Sequence, residues 1–277
     1  MALAVAWLMI PALPNAAEAE SATRRRNLVL PTEVAALPEP AGGGREALIL
    51  GAPPAQQAQT GWRATPSDET LDTVRLAIED ATRATGLSGG MLRRIAERES
   101  RLNPMARSRS SSATGLMQFT RDTWLEAVRD FGARHGLESE AAALQTDREG
   151  RIATRDPQTL RHILLLRENA RYSAVLAAER LRAARPGLER LLGREATPAD
   201  LYLVHLLGHT GSRRFLTALR SNPRQTSYEA LGESAQANPS VFARNGESLP
   251  VARAYAELAR MFEGPFLVAA LSWSHAD

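Results

Sequence analysis

One acidic side chain, Glu99, stands in a setting suited to proton transfer. It follows the apolar positions of a predicted helix, and an Asn-Pro turn at 103–104 comes soon after it. A serine-rich stretch at 108–112 then leads to a Gly-Leu-Met-Gln segment at 115–118. This order can place one carboxyl in a groove with apolar and amide walls. Cleavage of a glycosidic bond needs such an acid, because the poor leaving oxygen must be protonated.

The residues around Glu99 predict a carboxyl that keeps its proton near neutral pH. Ile95 lies four residues before it and Leu102 three after it, so part of its surroundings should be apolar. Burial raises the pKa of a carboxyl, and the negative end of a helix dipole acts in the same direction. Arg98 and Arg101 would oppose this effect. Adjacent helical residues point away from each other, so we expect both arginines to face elsewhere.

The elements that must position Glu99 are predicted to be helices, which makes the fold class mainly α. Ser67 and Ser88 precede two amphipathic stretches as N-caps; the first should end at Gly86 and the second near Ser100. The segment 115–118 is expected to open a new helix. Further helices are predicted at about 120–135, 157–185, 197–208, 211–221 and 251–262, with a short piece at 228–231. Residues 136–156 look polar and irregular, and no run of strands is evident.

Composition limits the classes of function. The chain has 277 residues and is 44% hydrophobic, which is enough for a real core, and it contains no cysteine. Disulfides, thiolate catalysis and cysteine-ligated zinc are therefore excluded. All 34 basic residues are arginine and the net charge is +3, which suits an anionic polymer such as acidic cell wall or nucleic acid. Because no basic recognition helix carries interleaved aromatics, we expect no nucleic acid partner.

The chain divides into four predicted segments. Residues 1–19 are typical of an export signal, with an apolar run and an Ala-Glu-Ala cleavage pattern; a disordered apolar N-terminus is the alternative. Residues 20–66 form a linker rich in Ala, Pro and Gly, residues 67–221 the main domain, and residues 222–277 a C-terminal extension. No stable membrane span is expected, because the N-terminal apolar run is too short. The apolar end at 266–273 either packs on the domain or docks a partner protein.

The motif E-S-x-x-N-P, the serine-rich loop, G-L-M-Q-F and T-W together resemble the bacterial soluble lytic transglycosylase (SLT) domain, a lysozyme-like helical family. The close similarity covers about 89–124, and a weaker one runs from about 67 to 221. The resemblance implies cleavage of peptidoglycan glycan strands between N-acetylmuramic acid and N-acetylglucosamine, with a 1,6-anhydro product and no cofactor. It implies that Glu99 is acid and then base, that Ser100 hydrogen-bonds beside it, and that Met117 and Gln118 line the groove. The acetamido group of the substrate would replace the second carboxylate of two-acid glycosidases.

A third motif of the family, commonly A-Y-N-A-G-P-G, corresponds to 204–211 and is altered. Gly208 is kept, but the tyrosine and asparagine positions hold His205 and a leucine. Tyr202, one turn earlier, can supply the aromatic hydroxyl, so we expect Tyr202 and His205 to bind substrate. In this departure the chain resembles divergent alphaproteobacterial or phage-like members. His205 and His209 have the i, i+4 spacing of a metal pair, but no acid of suitable spacing accompanies them, so no metal is expected.

These observations favour a periplasmic lytic transglycosylase that remodels the wall locally during assembly of a flagellum or secretion apparatus. A protein of that apparatus would then dock on the C-terminal region. Two alternatives stay open. A lysozyme-like hydrolase would use Glu99 with water as the nucleophile, and a non-catalytic wall-binding scaffold would act through its C-terminal region. Trp124 is expected in the core rather than as a platform for sugars.

Overall fold

The computed structural model describes residues 66–263, and helices dominate it, as the sequence predicts. The predicted export signal, the predicted linker up to residue 65 and the apolar end at 266–273 lie outside the described residues. The helices are α1 (Asp68–Thr85), α2 (Gly89–Ser100), α3 (Arg121–Phe131), α4 (Glu138–Ala143), α5 (Pro157–Leu165), α6 (Ala170–Leu192), α7 (Pro198–Ser221), α8 (Ser227–Leu231), α9 (Glu233–Gln236), α10 (Pro239–Phe242) and α11 (Val251–Glu263). Short 3₁₀ turns follow α3 at 132–135 and α5 at 166–168.

Strands are limited to two small antiparallel pairs among the described residues. They are β1 (Gln145–Thr146) with β2 (Ile152–Ala153), and β3 (Ala243–Arg244) with β4 (Glu247–Ser248). In register, Gln145 faces Ala153 and Ala243 faces Ser248. These hairpins join helices and form no layer of their own.

The first two helices begin as their sequence patterns predict. The side chain of Ser67 accepts a hydrogen bond from the Thr70 amide, and that of Ser88 accepts one from the Met91 amide. These bonds satisfy amides that a helix N-terminus leaves without a partner. The helix α1 buries one apolar stripe against α6, which packs in turn on α7. A single core results, and its largest fully buried side chains include Trp124, Tyr202, Phe215 and Phe242.

The chain reverses sharply at the end of α2. Arg101 and Leu102 both adopt left-handed backbone conformations, with φ of 55° and 63°. The Leu102 amide turns back to the carbonyl of Ala96 at 3.3 Å, and the Leu102 side chain is buried. Left-handed conformations are costly for residues with a Cβ, so the packed fold must hold this turn. Because of this turn, α2 ends at Ser100, as predicted, and Glu99 lies in the last turn of the helix.

Three predicted elements differ in the structure. The segment 115–118 forms a tight turn, closed by pairing of Thr114 with Phe119, and α3 starts only after Thr120 caps it. The interval 136–156 holds α4 and the first hairpin. The predicted helix at 157–185 is two helices, because the side chain of Asn169 accepts from the Tyr172 amide and starts α6 afresh.

The helix α6 also continues past Pro186, where the sequence predicted an end. A proline inside a helix removes one hydrogen bond and crowds the preceding turn. Pro186 lies on the exposed side of α6, where water can solvate the carbonyl that loses its partner. Leu188, two residues further on, is buried and holds the last turns of α6 on the core.

The helix α7 is two helical halves joined at Gly208, as predicted. Gly208 has φ 67° and ψ −176°, which no helix contains. The C-terminal part then folds back, and α11 packs on α7 and α2. Trp124 is confirmed in the core, where its indole nitrogen donates to the Ile163 carbonyl at 2.7 Å. Within residues 66–263, none of the helices has both the length and the apolar character needed to cross a membrane.

Candidate active site

Glu99 is buried between α2 and α7. Its side chain is 3% exposed, and its Oε1 accepts a hydrogen bond from the hydroxyl of Tyr202 at 2.8 Å. Tyr202 is itself 1% exposed and reaches Glu99 from the first half of α7. This contact joins residues 103 positions apart in the chain. The structure thus places a phenol directly on the predicted acid.

The environment of Glu99 favours its neutral form. Burial raises the pKa of Glu99 to about 7, because a low-dielectric site disfavours the anion. The hydrogen bond from Tyr202 and the positive charge of Arg98 act in the opposite direction and limit the rise. At neutral pH the carboxyl therefore populates both protonation states, which suits a group that must give up a proton and take one back.

Arg98 lies close to this pair, contrary to the expectation that it faces away from Glu99. Its Nε donates to the Tyr202 hydroxyl oxygen at 2.9 Å. The Cα–Cβ bonds of adjacent helical residues do diverge, but a long arginine side chain can curve back across apolar surface with its charged end at a polar group. Spacing along α2 alone could not predict this contact, because its partner comes from α7.

His205 lies beside the carboxyl without forming an ion pair. Its Nε2 is 3.9 Å from Oε1 of Glu99, and its ring stacks on that of Tyr202 with centroids 6.0 Å apart. Burial, aided by the positive charge of Arg180, lowers the pKa of His205 to about 4, although a bond to the Met117 carbonyl acts against this. His205 is therefore neutral at physiological pH and serves as an uncharged polar wall.

Arg180 is a residue near the site that the sequence did not single out. It is largely buried on α6, where it donates to the carbonyl of Thr123 at 3.1 Å and lies 3.2 Å from a carboxylate oxygen of Glu126. Its charge lowers the pKa of both His205 and His209. Nothing in the sequence distinguishes Arg180 from the other arginines, because its role comes from the packing of α6 against α3 and α7.

His209 does not join His205 at the carboxyl. It is exposed and follows Gly208, where α7 changes direction. No group of three or more His, Asp or Glu side chains between residues 66 and 263 is arranged to hold a metal ion.

Three further predicted site residues flank the acid and are engaged in contacts within the fold. The hydroxyl of Ser100 donates to the Ala96 carbonyl at 3.1 Å. Met117 is fully buried, and its amide donates to Oγ of Ser173 at 3.1 Å. The side-chain amide of Gln118 donates to the carbonyls of Ala106 and Gly115, at 3.1 and 2.8 Å. The bond of Ser100 lies within α2, whereas those of Met117 and Gln118 stabilise the loop after it. A role of the three residues in substrate binding stays a prediction.

Gly115 lets that loop approach the turn at 166–168. A Cβ on Gly115 would lie 1.9 Å from the carbonyl oxygen of Arg167, and its φ is 88°. The guanidinium of Arg167 in turn donates to the carbonyls of Ser112 and Phe119. The conformation of the Gly-Leu-Met-Gln segment is therefore stabilised by contact with the distant turn at 166–168, rather than by helix formation.

The helix α11 completes the wall behind the phenol. The ring of Phe262 meets the Tyr202 ring edge-on, with centroids 5.9 Å apart and an interplanar angle of 61°. Arg94 on α2 donates to the Met261 carbonyl at 2.9 Å, which ties α11 to the helix that carries Glu99. Tyr202 is thus held by packing from one side and by hydrogen bonds from the other.

Fold and site together define a mainly helical domain that holds one protonatable carboxyl against a phenol. Residues 77–142 match the family model of the transglycosylase SLT domain, which supports membership of the lytic transglycosylase family and agrees with its lysozyme-like helical fold. The match includes Glu99, Ser100, Met117 and Gln118 and ends before α7. It supports lytic transglycosylase-type activity on peptidoglycan in general. The family match does not reach Tyr202 and His205, so only the structure places these two residues beside Glu99.

Proposed function

We propose that the chain cleaves the β-1,4 bond between N-acetylmuramic acid and N-acetylglucosamine in peptidoglycan and leaves a 1,6-anhydro-muramic end. The observation that carries this proposal is the buried carboxyl of Glu99, whose pKa is about 7 and whose Oε1 is held by Tyr202. The SLT match across 77–142 supports the substrate class. The groups that act on Glu99 are a phenol and a guanidinium rather than a second carboxylate, which agrees with a single acid and base.

In the first step, protonated Glu99 gives its proton to the glycosidic oxygen. The bond from C1 of the muramic residue to that oxygen breaks while the acetamido oxygen of the same residue attacks C1. Glu99 becomes an anion in a buried site, where the Tyr202 hydrogen bond and the charge of Arg98 stabilise it. This stabilisation favours release of the proton.

In the second step, the anion of Glu99 takes the proton of the muramic C6 hydroxyl. The C6 oxygen attacks C1 and displaces the acetamido oxygen, which closes the 1,6-anhydro ring and restores the protonated acid. No water is consumed, so the product is lighter by one water than the product of hydrolysis. Neutral His205 adds no charge that would hold Glu99 as an anion.

The test is mass spectrometry of the muropeptides that the protein releases from purified sacculi. We expect 1,6-anhydro ends from the wild type. For Glu99→Gln we expect a turnover lower by about 10²- to 10⁴-fold, because a positioned general acid contributes that much. Glu138→Gln, which changes an exposed glutamate at the start of α4, is the matched control and should keep its activity.

Three results would refute the proposal. Reducing ends without 1,6-anhydro sugars would identify a lysozyme-like hydrolase that uses water. Unchanged release of muropeptides by Glu99→Gln would remove the acid from the mechanism. A wild type that binds sacculi but releases no muropeptides would identify a non-catalytic scaffold.

We propose in addition that the protein acts in the periplasm, in local remodelling of the wall for a flagellum or secretion apparatus. The export pattern at 1–19 supports the location, and the apolar end at 266–273 supports a protein partner. Both segments lie outside the described residues. A fusion of residues 1–19 to a reporter that matures only after export tests the location, and retention of that reporter in the cytoplasm would refute it.

A further inference from the structure

The hydroxyl of Tyr202 joins Arg98 to Glu99 through two hydrogen bonds. Arg98 Nε is 2.9 Å from the hydroxyl oxygen, and that oxygen is 2.8 Å from Oε1 of Glu99. A guanidinium has five donors and no acceptor, so Arg98 must donate to the phenol. The phenol hydrogen is then free to point at Glu99. The order is Arg98 to Tyr202 to Glu99.

We propose that Arg98 is a positioning residue, which fixes the direction of the Tyr202 hydroxyl so that Oε1 of Glu99 is always an acceptor and Oε2 carries the proton that is transferred. This inference rests on the proposed acid–base role of Glu99. In a neutral carboxyl the carbonyl oxygen is a better acceptor than the hydroxyl oxygen, so the oxygen that accepts the phenol hydrogen at 2.8 Å is a poor site for the carboxyl's own proton. The acid therefore has one defined donor atom.

The other groups around Glu99 leave this assignment intact. His205 Nε2 is 3.9 Å from Oε1, beyond hydrogen-bond distance, and burial keeps that ring neutral. The helix α11 contributes the ring of Phe262, which packs on Tyr202 and not on the carboxyl. The charged group that faces the pair is Arg98, with its guanidinium carbon 5.9 Å from the centre of the Tyr202 ring.

Arg98 acts on both halves of the proposed reaction. Before proton transfer it orients the phenol, and after transfer its charge stabilises the new carboxylate through the same hydroxyl. Its charge lowers the pKa of Glu99 against the larger effect of burial. Replacement of Arg98 should therefore change the pH dependence of the reaction as well as its rate.

Arg98→Met and Arg98→Lys separate orientation from charge. We follow muropeptide release from sacculi against pH and, independently, titrate the Glu99 carboxyl by ¹³C NMR. In Arg98→Met we expect the alkaline limb of the rate profile and the NMR midpoint to rise by about 1 pH unit, because a nearby cation is lost. Turnover at low pH, where the acid is protonated, should fall about tenfold through loss of orientation.

Arg98→Lys keeps the cation but has three rotatable donors in place of the rigid guanidinium. We expect the wild-type midpoint with turnover between those of the wild type and Arg98→Met. The matched control is Arg101→Met, which removes an exposed arginine on the other side of Glu99 and should match the wild type in both measurements. In a Tyr202→Phe background, Arg98→Met should cause little further loss of turnover.

A loss of turnover in Arg98→Met without any movement of the limb or the midpoint would reduce Arg98 to a packing role and overturn the proposal. The same turnover and the same pH midpoint in Arg98→Met and Arg101→Met would overturn the proposal too. If Arg98→Met does not fold, Arg98→Lys decides, because full wild-type turnover would refute a role in orientation. Absence of 1,6-anhydro products from the wild type would refute the proposed function instead, while the NMR titration would still test the link from Arg98 to Glu99.

Discussion

The burial that suits Glu99 to its proposed role as an acid has a cost in stability. An unperturbed glutamate has a pKa of 4.5, and burial raises that of Glu99 to about 7. The folded protein therefore binds this proton more tightly than the unfolded chain does. As the pH rises from about 4.5 to 7, the free energy of unfolding falls, because the folded protein must bury an anion. The buried acid therefore destabilises the fold at neutral and alkaline pH.

We expect Glu99→Gln to be more stable than the wild type at pH 8, by up to about 3 kcal/mol, which is the free energy that corresponds to this rise in pKa. At pH 4 both proteins carry a neutral side chain at this position and should be similar. Urea unfolding at pH 4, 6 and 8 measures the difference. Because other groups titrate as well, the quantity to follow is the gap between variant and wild type. Glu138→Gln, at an exposed position, should show a gap that does not change with pH, and a constant gap for Glu99→Gln would contradict the buried acid.

At the residue scale, the sequence predicts what depends on near neighbours. The apolar positions Ile95 and Leu102 correctly indicated a buried carboxyl at Glu99 with a raised pKa. The position of Arg98 could not be predicted, because its partner Tyr202 is 104 positions away. Local spacing predicts the direction in which a side chain leaves its helix. The position of the end of a long side chain depends on its distant partner.

At the scale of elements, helix boundaries that depend on one or two capping residues were predicted correctly. Thr197 caps α7 and, with Asp200, forms a reciprocal capping box. Neither the break at Asn169 nor the continuation of α6 past Pro186 was predicted from the sequence. A single asparagine gave no periodicity change, and a proline is tolerated where its turn faces water.

Gly208 is the hinge that gives α7 two directions. Its φ of 67° with ψ of −176° lies in a region that is almost confined to glycine. We expect Gly208→Ala to lower the free energy of unfolding by about 2 kcal/mol, in the range for such strain. Thermal and urea unfolding measure this change, and turnover on sacculi should fall with it, because the halves of α7 cannot both stay in place.

The matched control is Gly187→Ala in α6. Gly187 is helical, and the nearest atom to an added Cβ is 3.9 Å away, at the end of the flexible Arg190 side chain. Alanine there should stabilise the protein by about 0.5 to 1 kcal/mol through its higher helix propensity. Equal effects of the two substitutions would show that the backbone at Gly208 is not strained.

For the whole molecule, the helix α11 joins the C-terminal part to the domain that holds the acid. Val251, Ala254 and Leu258 are buried on its inner face. The hydroxyl of Tyr255 donates to the buried carboxylate of Asp200 at 2.8 Å, so α11 also contacts the first turn of α7. Sequence periodicity predicted this amphipathic helix correctly but could not indicate which surface its apolar face covers.

We expect Leu258→Ala to lower the free energy of unfolding by about 3 kcal/mol, as is typical for a buried leucine that leaves a cavity. Urea unfolding followed by far-UV circular dichroism measures it. Arg260→Ala, at an exposed position of the same helix, should change stability by less than about 0.5 kcal/mol. A small effect of Leu258→Ala would mean that α11 contributes little to the cooperative unit.

The contact between Phe262 and Tyr202 has a consequence for the order of events in the life of the chain. Glu99 is synthesised early, Tyr202 a hundred residues later, and Phe262 later still, yet all three meet at one point. Contacts of such wide sequence separation form late in folding, because long loops must first be closed. A nascent chain that ends before α11 has the acid but lacks the packed wall behind the phenol. The packed wall around the Glu99–Tyr202 pair is therefore completed only by the last helix that the structure describes.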